Sequence, residues 1–156
     1  MKCVIFLSLL LAGVAAVDIQ GLLDTTFYDV QGNAVTLDDL KGKYIGLYFS
    51  ASWCGPCRRF TPSLIWTYNE VLKAGHNFEI IWVSRDRYES SAEDFFQKMP
   101  WVRLPWSENY KIGQLFSLTQ QRYIPALTIL DPDLNVINPN ARSDAEYRPE
   151  QFPWRR

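Results

Sequence analysis

Two cysteines three residues apart, Cys54 and Cys57, are the side chains whose types and spacing point most directly to chemistry. Three residues is about one helical turn, so their sulfurs can approach and bridge if a helix starts beside them. An apolar, β-branched and aromatic run at 44–50 precedes them and reads as a buried strand. Behind them Phe60, Leu64, Tyr68, Val71 and Leu72 recur at three- and four-residue steps, one stripe of a helix. The pair therefore sits where a strand hands over to a helix N-terminus. Unpaired N–H groups and the positive end of the helix dipole stabilise a thiolate there, and the thiolate is the reactive form of cysteine. Pro56 fits the first helical turn, where its missing N–H leaves nothing unsatisfied, and Arg58 adds a positive charge. The arrangement suits thiol–disulfide exchange, with Cys54 at the mouth of the turn and Cys57 inside the helix.

Two plainer roles compete. Zinc takes four ligands, and this chain has no second cysteine pair and a single histidine, His76, in a polar turn; no metal is expected. A purely structural bridge of this spacing would constrain little of the unfolded chain. A CxxC beside a βαβ pattern is the more specific signal.

The motif Trp53-Cys54-Gly55-Pro56-Cys57 matches that of thioredoxins, and the wider sequence resembles their tryparedoxin and nucleoredoxin branch. The likeness is carried by Leu47-Tyr48-Phe49-Ser50-Ala51-Ser52-Trp53-Cys54, by Cys57-Arg58-Arg59-Phe60-Thr61-Pro62, by Met99-Pro100-Trp101, by Ile124-Pro125, and by Phe152-Pro153-Trp154. It implies an α/β thioredoxin fold, a central mixed β-sheet flanked by helices, here with an N-terminal β-hairpin extension. It implies a thiol–disulfide oxidoreductase acting on protein disulfides and recharged by an upstream dithiol reductant, as a monomer without a cofactor. The alternative is a redox-sensitive interaction module with little turnover. By the same resemblance Cys54 and Cys57 are catalytic, and Trp53, Gly55, Pro56, Ile124 and Pro125 face the substrate. Pro125 is then cis, leaving the Ile124 backbone free to pair with a substrate strand. Tyr48, Arg58 and Trp101 support the site, Tyr48 standing where thioredoxins keep a buried aspartate. Two positions depart from the branch: Gly55 replaces a usual proline, and Arg103 a small apolar residue near the substrate face. The direction of electron flow, reductase or oxidase and isomerase, stays open.

The flanking elements follow in order. Residues 26–29 and 34–35 around Gln31-Gly32-Asn33 read as a hairpin, and Thr36 as the cap of a single turn closed by Gly42. Pro62 should bend the active-site helix, which stops near Ala74-Gly75. Residues 78–84 form a doubly covered parallel strand. The charged stretch 85–89 reads as a solvated turn, with partner steering by Arg85 or Arg87 as the sharper alternative. Ser91 caps a helix over 92–98; residues 99–106, with two prolines and two tryptophans, form no regular helix. A short helix at 111–116, a strand at 126–130, an edge strand at 136–137 and a weak last helix complete the chain.

Composition allows one domain with a sizeable core: 156 residues, 47% hydrophobic. Met1-Lys2, an apolar run at 3–17 and the small residues Val14-Ala15-Ala16 read as a signal peptide over 1–16, placing a mature domain 17–156 in the secretory pathway or outside the cell, with no retrieval signal. Cleavage removes Cys3 and leaves no stable membrane association. Sixteen basic and 17 acidic residues give a net charge of −1, which speaks against nucleic acid and anionic membranes.

Overall fold

The computed structural model describes residues 18–156, so the expected signal peptide lies outside the described residues. After a short helix α1 (Ile19–Leu23) come β1 (Thr26–Tyr28) and β2 (Ala34–Thr36), an antiparallel hairpin. A single 3-10 turn follows, in which the Thr36 and Asp39 side chains and N–H groups bond reciprocally. Gly42 ends it at φ +80°, a left-handed conformation that glycine adopts without a Cβ penalty. Then come β3 (Tyr44–Ser50), α2 (Gly55–Lys73), β4 (Phe78–Ser84), α3 (Glu89–Phe96) and β5 (Val102–Arg103). Helix α4 (Ile112–Leu118), β6 (Ala126–Leu130), β7 (Val136–Asn138) and α5 (Arg142–Tyr147) close the chain.

The strands form one seven-stranded mixed sheet in the order β2-β1-β5-β4-β3-β6-β7. Its centre is the parallel β3–β4 pair with β6 antiparallel on the other side of β3. Because strand side chains alternate between faces, each central strand feeds two cores. Tyr48, Ile80, Trp82, Leu127 and Ile129 point to one face, covered by α2, α3 and α5. Ile45, Leu47, Phe49, Ile81 and Val83 point to the other, covered by α1 and α4. Double burial explains why 44–50 and 78–84 read as almost unbroken apolar runs. Helix α2 continues through Pro62. At the C-terminal end Asp144 is buried; burial raises its pKa, but hydrogen bonds from Arg156 and Asn138 outweigh this and hold the carboxyl below its ordinary range.

Two expectations need correction, for Ser91 and for Arg103, while 99–106 forms no regular helix, as expected, and gains a short strand. Helix α3 starts at Glu89 after Tyr88, with Ser91 inside it and no side-chain cap. The stretch at 99–106 contributes β5, whose two residues pair with β1 and β4 and tie the hairpin to the sheet. Its two-residue length, between prolines, gave no periodicity to read. Arg103 does not face the cysteine pair: it ion-pairs with Glu93 and lies 5.1 Å over the Phe96 ring, committed to α3.

Candidate active site

The site is built at the C-terminal end of β3. Cys54 is the N-cap of α2, with extended backbone (φ −88°, ψ 107°), and Pro56 occupies the first turn. The Cys54 amide donates to the Ala51 carbonyl (3.2 Å), the Cys54 carbonyl accepts from Arg58 N–H (3.1 Å), and Cys54 Sγ accepts from Cys57 N–H (3.3 Å). A first-turn N–H that has no backbone partner within the helix is thus satisfied by this sulfur. Cys54 and Cys57 form a disulfide, with Cα atoms 5.2 Å apart. They differ in access: Cys54, 5% exposed, lines an open groove of about 920 Å³, whereas Cys57 is fully buried behind it. Among the described residues no group of three or more His, Cys, Asp or Glu side chains is placed to share a metal.

The residues expected around the pair fall into two sets. Trp53, Gly55, Pro56 and Ile124 line the same groove, and the Ile124 carbonyl oxygen lies 3.9 Å from Cys54 Sγ. The Ile124–Pro125 bond is cis, and Pro125 is buried at the edge of a neighbouring cavity. Trp53 stands 62% exposed, its indole N–H donating to the Arg85 carbonyl (3.3 Å). Gly55 has ordinary backbone and room for a Cβ, the nearest atom being Arg59 Nη1 at 3.7 Å, so its conformation does not require glycine. Arg58 is exposed and lines a second cavity on the α2 side.

Tyr48 and Trp101 lie under the groove instead. Tyr48 is fully buried; its hydroxyl donates to Thr61 Oγ1 (2.7 Å), which donates on to the Cys57 carbonyl (2.8 Å). Burial pushes the phenol pKa up, partly offset by the hydrogen bond with Thr61, so the hydroxyl stays protonated at neutral pH and acts as a strut, not as a base. Trp101 is buried edge-on against Tyr48 (5.9 Å) and Tyr68 (5.6 Å), a core residue with no face on the groove.

One residue was missed. Asp86 is 7% exposed and accepts from Ser52 N–H (3.1 Å), the Ser52 hydroxyl and the Ser84 hydroxyl (2.8 Å), clamping the loop that carries Trp53 and Cys54. Arg85 N–H donates to the Ser50 carbonyl in the same clamp (2.8 Å). An acid between two arginines just past an apolar strand was the available signal, and it read as a solvated turn. That reading holds for the exposed Arg85, Arg87, Tyr88 and Glu89 and is corrected for Asp86; Arg85 and Arg87 also line the groove, with the Arg85 guanidinium 4.7 Å over the Phe116 ring.

Comparison with known proteins agrees with this arrangement. The family model described as Thioredoxin-like matches residues 42–136. A probable nucleoredoxin 1 of Arabidopsis thaliana is 43% identical over 80% of this chain, which spans only 22% of that protein's length. The tryparedoxin of Trypanosoma brucei brucei is 39% identical over 77% of this chain and 85% of its own. A solved mutant tryparedoxin-I superposes with a TM-score of 0.82 at 33% identity, covering 89% of this chain and 99% of that one. The expected signal peptide and secretory or extracellular location are corrected: the relatives are nucleoredoxins and tryparedoxins, and nothing in this kinship supports export. The expectation rested on Met1-Lys2, the apolar run and the small residues Val14-Ala15-Ala16, all outside the described residues. The fold is the thioredoxin fold, and the chain belongs to the thioredoxin-like oxidoreductase family, in its tryparedoxin and nucleoredoxin branch.

Proposed function

We propose that this chain is a dithiol–disulfide oxidoreductase acting on protein disulfides through Cys54 and Cys57. The observation that carries the reading is the unequal placement of the two sulfurs: one caps a helix and opens on a groove, the other is sealed behind it. In the reduced form the Cys54 thiolate attacks one sulfur of a target disulfide. That bond breaks, one target thiolate leaves, and a mixed disulfide with Cys54 remains. Cys57, as a thiolate, then attacks Cys54 Sγ, the mixed bond breaks, and the second target thiolate leaves. Two electrons have passed to the target, whose two thiolates take their protons from Cys57 or water, and the Cys54–Cys57 disulfide is formed. An external dithiol reverses that oxidation, becoming a disulfide itself. The Tyr48 hydroxyl supplies no base, so the Cys57 proton goes to water or to the departing target thiolate.

Sustained turnover separates this from a redox-sensitive interaction module. With dithiothreitol supplying electrons, the protein is expected to reduce many equivalents of insulin disulfide per molecule. Reduction that stops at one equivalent would favour the module.

A further inference from the structure

Charge is unevenly distributed around the pair. Arg85, Arg87 and Arg122 line the groove that Cys54 opens on, while Arg58, Arg59 and Lys98 line the cavity on the other side of Gly55. All six are exposed, and among the described residues none has a carboxylate within ion-pair distance. The chain as a whole carries −1, so the concentration is local. Within these walls the one acid is Asp86, occupied by Ser52 and Ser84; Glu146 lines the next cavity beyond Arg122. Among the cations stand three aromatic rings with little cover: Trp53, Tyr88 and Tyr123, exposed by 62%, 70% and 82%. Exposed Trp, Tyr and Arg in one patch is the composition of the energetic centre of protein–protein interfaces. A small anion would engage one wall only, whereas these cations line cavities on both sides of Gly55, which suits a longer ligand.

We propose that this face selects protein disulfides whose reactive cysteine is flanked on both sides by aspartate or glutamate, seated on Trp53, Tyr88 and Tyr123 and held between the two groups of cations. The proposal rests on Cys54–Cys57 being an exchange pair. Exposed charges of this kind act mainly by steering encounter, and salt screens them.

The test uses three disulfide-linked peptides of equal length whose cysteines are flanked by Asp/Glu, by Ser, or by Lys/Arg, with glutathione disulfide as a fourth substrate. Dithiothreitol recharges the protein, and each rate is divided by that of dithiothreitol alone. At low ionic strength kcat/KM for the acidic peptide is expected to exceed that for the serine peptide by about tenfold, with the basic peptide slowest. In 1 M salt, where the screening length falls to about 3 Å, the three should converge. The double variant Arg87→Glu/Arg122→Glu should reverse the order of the acidic and basic peptides. Equal rates for all three peptides at low salt would overturn the proposal while leaving the exchange chemistry standing. Glutathione disulfide reduced as fast as the acidic peptide would overturn the protein partner in favour of a small anion. Failure to reduce any of the four would refute the exchange reading and the proposal with it.

Discussion

Replacing Cys57 by serine is expected to stop the reaction halfway, leaving the target bound through Cys54 as a stable mixed disulfide. Serine cannot attack Cys54 Sγ to release it, so turnover should fall by about a thousandfold or more. The Cys54→Ser variant should lose turnover equally and trap nothing, because the remaining thiol is sealed behind the groove. Non-reducing electrophoresis of each variant after incubation with insulin reads the difference directly. Equal trapping by both variants would contradict the assignment of roles.

The largest effect on stability is expected at Trp82. Its indole is buried, stacks on Phe96 (centroids 5.5 Å apart, planes within 7°), meets Phe95 edge-on, and donates its N–H to Ser50 Oγ (2.7 Å). Trp82→Ala removes a large core side chain and should cost about 3–5 kcal/mol. That is much of the roughly 5–15 kcal/mol that holds a typical domain folded. Trp82→Phe keeps a stacking ring and forfeits the hydrogen bond, so about 1 kcal/mol is expected. Urea denaturation checks both, and an unchanged midpoint for Trp82→Ala would contradict the packing described. The same residue joins core to chemistry: Ser50 is the last residue of β3, and its carbonyl holds Arg85 beside the cysteine loop.

What was legible in the sequence was whatever repeats with a period or sits at a fixed offset. Of the expected stripe, Phe60, Leu64, Tyr68 and Val71 lie in the core whereas Leu72 at the end of α2 is exposed, and 44–50 and 78–84 are the central strands. Cys54 caps α2 because a strand–CxxC–helix order leaves few other places for it. What escaped depends on contacts between residues far apart in the chain. Asp86 reads as a surface acid until the fold brings Ser52, 34 residues away, against it. Arg103 carries no mark of its partner Glu93, and β5 is too short for its alternation to be seen. Trp101 shows the converse: resemblance points it toward the site, but its ring is needed between Tyr48 and Tyr68 in the core.

The most direct measurement is alkylation of the fully reduced protein with iodoacetamide as a function of pH, with each cysteine followed by peptide mass spectrometry. The helix N–H directed at Cys54 Sγ and the groove that exposes this sulfur predict that Cys54 is labelled first. Its apparent pKa should lie below the unperturbed thiol value of about 8.5, with Cys57 lagging across the neutral range. Equal labelling rates at pH 7, or Cys57 reacting first, would contradict the account.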